Sequence, residues 1–186
     1  EWERTLASGN WGMVTWPEQF GGRGLDLIEW LIFEEEYFRA GAPNRANQNG
    51  IFLLGPTIME FGTEEQKARF LPPMARGEVI WAQAWSEPGA GSDMAAIQSK
   101  AVLDGDHYVI SGTKRYITNG PKAEFFLVMA RTSTENLPSN RHVSGFLIPA
   151  GTPGLSVGKH DKKMGQQGAI TGDVILEDVR VPASAL

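Results

Sequence analysis

The residues best suited to chemistry crowd into one stretch, Ser86-Glu87-Pro88-Gly89-Ala90-Gly91-Ser92-Asp93, which closes the apolar run Ile80 to Trp85. The run reads as a strand. Pro88 ends its ladder, because proline has no N–H to donate and a fixed φ. Gly89 and Gly91 let the backbone bend and come close to a ligand. Ser86, Ser92 and Asp93 flank the bend. A loop of this kind leaves several backbone N–H groups free to point at an acceptor. The same composition also suits a plain strand that ends in a Pro-Gly turn.

Other chemistries fit less well. Ser86 and Ser92 have no His-Asp constellation near them in sequence and no nucleophile-elbow pattern, which argues against a hydrolase. Gly89 and Gly91 do not open a helix with a third glycine, so a dinucleotide fingerprint fails, and no Gly-Lys-Ser/Thr follows for a P-loop. His107, His142 and His160 share no metal-ligand spacing and read as surface or turn residues. The run Glu34-Glu35-Glu36 reads as a solvated helix face and not as a catalytic base.

A second stretch, Arg115-Tyr116-Ile117-Thr118-Asn119-Gly120, and a third, Lys163-Met164-Gly165 with Glu177-Asp178-Val179-Arg180-Val181-Pro182, complete a pattern. With Ser86 to Asp93 and Ala96, their order and spacing resemble the acyl-CoA dehydrogenase family over essentially the whole chain. Two positions depart from the family: Trp85 replaces a smaller aliphatic residue, and Tyr116 replaces Trp.

The resemblance implies FAD as cofactor. Gln83, Ala84, Trp85 and Ser86 would lay backbone along the flavin, with the Ser86 hydroxyl near N5. Tyr116 would cover one ring face, and Ile117 and Thr118 would approach from beside it. Gly91 and Ser92 would reach the pyrophosphate or pantetheine part, which makes Ser92 a substrate contact as well. A reduced flavin concentrates charge at one edge, so backbone N–H groups and a hydroxyl are what a protein supplies there. The implied reaction is α,β-desaturation of an acyl-CoA thioester in fatty-acid oxidation. Electrons would pass to an electron-transfer flavoprotein, and the full-length protein would be a homo-oligomer. The resemblance places it in the bacterial cytoplasm or the mitochondrial matrix. The carboxylate base is expected in a C-terminal helical domain that these residues do not reach, so no catalytic residue is assigned within the chain, and the chain alone is expected to be inactive. Two alternatives stand beside this reading. One is an acyl-CoA oxidase or flavin monooxygenase of the same architecture. The other is a non-catalytic β-rich interaction module whose glycine loop is only a turn.

The elements that position these residues follow from periodicity and punctuation. Residues 1–78 read as helical. Trp2, Leu6 and Trp11 suggest the tail of one helix, and Trp16 to Gly24 a surface loop broken by Pro17 and glycines. Asp26 with Glu29, and Thr63 with Gln66, form capping boxes. The first should open a helix from Leu27 to about Ala40, apolar on more than one side and so buried on several faces. A second should span Ala46 to Phe61, kinked or interrupted by Gly50, Gly55 and Pro56. The last should end near Arg76, with Gly77 just beyond it. From residue 79 short apolar runs with turns take over, which indicates a β-barrel or sandwich. The candidates are Val79–Trp85, Ile97–Leu103, His107–Ser111, Arg115–Thr118, Phe125–Arg131, Val143–Pro149 and Asp173–Leu176. Asp104-Gly105-Asp106 is a hairpin turn, Phe125–Ala130 a central strand, and Thr132 to His142 a mobile loop. The fold class is thus α+β: an all-α domain over 1–78 followed by a β-domain over 79–186.

Composition sets outer bounds. The 186 residues carry a net charge of −5, with no basic run interleaved with aromatics, which argues against nucleic acid. Charged residues make up 21% and hydrophobic ones 41%, as in ordinary globular proteins. There is no cysteine, so disulfides and thiolate metal sites are excluded. No apolar run reaches membrane-spanning length, and no secretory or transit segment opens the chain. The sequence begins at Glu1, so it is expected to be part of a longer protein.

Overall fold

The computed structural model describes residues 1–133 and 142–186, and its contacts separate into two units, Glu1–Ile80 and Trp81–Leu186. The polar stretch read as a mobile loop, 132–142, thus lies largely outside the described residues.

The first unit is helical: α1 (Trp2–Ser8), α2 (Leu27–Arg39), α3 (Gly55–Phe61) and α4 (Glu64–Ala75). Both capping boxes form. The Asp26 carboxylate accepts from the Ile28 and Glu29 N–H at 2.8 and 2.9 Å, and Glu29 accepts from the Asp26 N–H at 2.9 Å. Thr63 and Gln66 make the same reciprocal pair at 3.2 and 2.9 Å. Past α4, Gly77 takes the left-handed φ of +63° that a C′ glycine supplies.

Two expectations are corrected here, and the interruption expected at Gly50, Gly55 and Pro56 takes a definite form. Helix α2 is not buried on several faces: Leu27, Ile28, Leu31, Ile32 and Phe38 are all more than half exposed, and Tyr37 is its buried residue. Hydrophobicity alone does not say which element will cover a face. The glutamate run is not wholly solvated either. Glu34 receives both terminal nitrogens of the buried Arg45 at 2.8 and 3.1 Å, while Glu35 and Glu36 remain exposed. The segment before α3 widens into a π-turn, Gly50–Leu54, in which the Gly55 N–H reaches the Gly50 carbonyl. A wider turn is a natural answer to Pro56, which has no N–H and whose ring would crowd the carbonyl four residues back.

The 16–24 loop is anchored and not merely a surface connection. Trp16 is buried and its indole N–H donates to the Ile51 carbonyl at 3.2 Å. Its seat exists because Gly55 lacks a side chain: a Cβ there would stand 2.0 Å from the indole ring.

The second unit is a curled seven-stranded sheet: β1 (Trp81–Ala84), β2 (Lys100–Asp104), β3 (His107–Thr118), β4 (Phe125–Arg131), β5 (Val143–Pro149), β6 (Leu155–Val157) and β7 (Thr171–Pro182). The order is β1-β4-β2-β3-β7-β6, with β5 on β4. As expected, β4 is central, parallel to β1 and antiparallel to β5. Its alternation sends Phe126, Val128 and Ala130 into a core with Ala82, Ala84, Phe146, Ile148, Val174 and Val179. Asp104 pairs with His107 across the hairpin, where Gly105 has φ +64°. The two strands read over 107–118 are one strand, β3, whose pairing with β7 slips between Ile110 and Gly112 and between Lys114 and Ile117. The second slip puts one extra residue in β3 and so changes which of its side chains face in, whereas the first puts the extra residue in β7. β6 is a strand beyond those expected, and β7 is longer than Asp173–Leu176. No helix of the described residues is long and apolar enough to cross a membrane.

Candidate functional site

β1 delivers Trp85 and Ser86 to the Pro-Gly turn. The turn is closed by the Glu87 N–H on the Ala90 carbonyl at 2.8 Å and by the reverse bond at 3.2 Å. Gly89 within the turn and Gly91, Ser92 and Asp93 beyond it are exposed, and a Cβ on either glycine would meet no atom within 4 Å. The loop backbone therefore faces open space. The curl of the sheet returns the end of β1 to β3, where the Arg115 N–H donates to the Ser86 carbonyl at 2.8 Å. That bond sets the two motif segments, 83–92 and 115–118, side by side.

The slip between Lys114 and Ile117 gives Tyr116 a left-handed φ of +57°. Such backbone is disfavoured for a bulky residue and marks a site for attention. It turns the ring outward: Tyr116 is 64% exposed, with the Arg115 guanidinium 4.8 Å from its centroid. Arg115 is in turn paired with Asp173 at 3.0 Å. Ala84 and Ile117 point into the core, so only their backbone is open to a ligand. Gln83, Ser86 and Thr118 are half-buried, and among the described residues their side chains make no hydrogen bond. The Trp85 indole N–H is covered and also lacks a partner there.

Beneath this surface lies a pair that the sequence reading did not use for the site. The Lys114 ammonium, wholly buried, meets the Glu87 carboxylate at 2.8 Å. Burial pushes the Glu87 carboxyl up, but bonds from the Lys114 ammonium and from the Gln98 and Ser99 backbone N–H groups outweigh it and hold the group below its ordinary value. Burial lowers Lys114 more than Glu87 raises it. One signal was available: Lys114 shares the period-two parity of Ile110, so it faces inward and needs an acceptor. Among the described residues no three His, Cys, Asp or Glu gather as metal ligands, and His107 pairs with Asp106 at 2.6 Å.

Comparison with known proteins bears on this geometry. Residues 82–179 match the model of the acyl-CoA dehydrogenase middle domain, and residues 1–78 that of the N-terminal domain. The chain belongs to the acyl-CoA dehydrogenase family. It is 42% identical over 158 residues to acyl-CoA dehydrogenase IpdE1 of Mycobacterium tuberculosis, covering 84% of this chain and 40% of that protein. The crystal structure of an acyl-CoA dehydrogenase from Geobacillus kaustophilus superposes with a TM-score of 0.88 at 32% identity, over all of this chain and 49% of that one. A chain in a structure described as the electron transferring flavoprotein of Acidaminococcus fermentans gives 0.84 at 33% identity, over 99% of this chain and 48% of that one. The chain spans 40% to 48% of the length of the curated relatives matched first.

The donor set fits a flavin. Unpartnered hydroxyls, an orphaned indole N–H, an open glycine backbone and an outward aromatic ring are what a planar, polar-edged ring system would engage.

Proposed function

We propose that this chain holds the flavin of an FAD-dependent acyl-CoA dehydrogenase, which desaturates an acyl-CoA thioester between its α and β carbons. The bond from the Arg115 N–H to the Ser86 carbonyl carries this reading, because it places both segments with free donors at one surface. FAD, when bound, supplies the hydride acceptor. Gln83 to Ser86 line it with backbone, and the Ser86 and Thr118 hydroxyls hold its polar edge. Tyr116 covers a ring face. Gly91 and Ser92 serve the phosphate-bearing part of the cofactor, and Ser92 also the pantetheine of the substrate.

Removal of the α proton needs a carboxylate held within about 3 Å of it and free to accept. Glu87 is bound to Lys114 and two backbone amides, and Glu34 to Arg45, so neither takes that part. In keeping with the family resemblance, the base is placed outside these residues, and the chain alone is expected to leave bound flavin oxidised when acyl-CoA is added. Electrons leave to an electron-transfer flavoprotein, and the whole enzyme is a homo-oligomer.

Titration of the purified chain with FAD tests the reading. Saturable quenching of flavin fluorescence is expected, weakened by Ser86→Ala and by Thr118→Val. Absence of saturable binding by the unaltered chain would overturn it. Anaerobic mixing with FAD and a panel of acyl-CoA thioesters tests the placement of the base: rapid bleaching of the flavin band would show a base within these residues.

A further inference from the structure

We propose that Lys114 and Glu87 are positioning residues: one buried ion pair sets the path of both segments, 83–92 and 115–118. Calling those segments the flavin edge rests on the function proposed above, whereas their placement does not.

The Lys114 ammonium has three protons and three acceptors: the Trp85 carbonyl at 3.1 Å, Glu87 Oε1 at 2.8 Å and the Met129 carbonyl at 2.5 Å. These belong to the end of β1, the Pro-Gly turn and the middle of β4. Glu87 spends its remaining capacity on the approach to β2, taking the Gln98 N–H at 2.7 Å and the Ser99 N–H at 3.0 Å. Nothing in the pair is left for solvent, since the two side chains are 0% and 6% exposed. Gly112 leaves room for Ser99, whose N–H Glu87 accepts: a Cβ there would stand 2.1 Å from Ser99 Oγ. Next in sequence to Lys114, the Arg115 N–H holds the Ser86 carbonyl. The pair therefore fixes the residues on both sides of Ser86, and through Arg115 the segment that carries Tyr116 and Thr118.

Buried ion pairs rarely stabilise a fold more than apolar residues of the same volume would, so their use is to be sought in geometry. Here the geometry is specific. An apolar pair would fill the space but would donate nothing to the Trp85 and Met129 carbonyls. The Trp85 carbonyl would then be free to turn, and with it the peptide that leads into Ser86.

The test compares Lys114→Met, Glu87→Gln and the double variant by amide hydrogen exchange, thermal unfolding and FAD titration. Lys114→Met should speed exchange at Arg115, Gln98 and Ser99 by about tenfold or more relative to the β6–β7 ladder, as loss of one or more buried bonds requires. FAD affinity should fall by a similar factor. Glu87→Gln, which keeps its shape and one acceptor oxygen, should give a folded chain with faster exchange at Gln98 or Ser99. The double variant has no unpaired buried charge, so it should regain much of the unfolding temperature that Lys114→Met loses. Fast exchange at Arg115 and weak FAD binding should persist in it. Unchanged exchange in both single variants would overturn the proposal. So would a double variant that recovers slow exchange together with its unfolding temperature, because the pair would then only neutralise itself. Failure of the unaltered chain to bind FAD would sink the flavin reading, while the exchange data would still decide the positioning role.

Discussion

Tyr116→Asn separates the fold of this site from its function. Tyr116 is 64% exposed, so about a third of its surface is covered. Burial of that share of a side chain of roughly 200 Å² contributes about 1–2 kcal/mol at about 25 cal/mol per Å². The Arg115 guanidinium over the ring adds about 0.5 kcal/mol at an exposed site. Against this stands the backbone, whose φ of +57° costs an aromatic residue about 1–2 kcal/mol. Asn tolerates that conformation, so the substitution recovers part of the strain as it loses the packing. Net stability should change by no more than about 1 kcal/mol, checked by urea unfolding. Flavin binding should change more clearly. An aromatic pair contributes about 0.5–1.5 kcal/mol beyond its area, so FAD affinity should drop by about 2- to 13-fold and residual flavin fluorescence should rise. Tyr116→Trp should keep both. Equal FAD affinity and equal quenching in Tyr116→Asn would show that the ring is only a surface aromatic.

Other outcomes follow from the same geometry. Ser86→Ala removes a hydroxyl with no partner among the described residues, so unfolding should be unchanged while FAD binding weakens by about 1–3 kcal/mol, read by fluorescence titration. Gly55→Ala sets a methyl 2.0 Å from the Trp16 indole and should destabilise the helical unit by about 1–3 kcal/mol in denaturant titrations. The Glu87 carboxyl is held below its ordinary value of 4.5, so its contribution is complete above that pH and is lost as pH falls through its own lower value. Glu87→Gln should therefore be less stable than the unaltered chain at neutral pH, with the gap closing in acid. A constant gap down to acid pH would mean that Glu87 is not held as the structure shows.

Local rules carried far here because many elements are set by local chemistry. Asp26 with Glu29 and Thr63 with Gln66 cap their helices through contacts three residues apart, and Gly105 turns its hairpin within two residues. What was illegible depends on partners distant in sequence. The exposure of Leu27, Ile28, Leu31 and Ile32 depends on what packs against α2, which its own periodicity does not state. Arg45 finds Glu34 across a turn, and Lys114 finds Glu87 across 27 residues. The slip that joins 107–118 into one strand and turns Tyr116 outward follows from pairing with β7. The site motifs themselves were legible as segments. Their adjacency through Ser86 and Arg115 was not, because it needs the curl of the sheet.

The central claim, that segments 83–92 and 115–118 form one flavin-holding surface, is tested most directly by mapping FAD onto the backbone. Amide ¹⁵N–¹H spectra of the chain should be recorded with and without FAD. The account predicts shifts concentrated at Gln83 to Ser92 and at Arg115 to Thr118, with the β6–β7 ladder unmoved. Shifts confined to β6, β7 or the helical unit, or no shifts under saturating FAD, would contradict it.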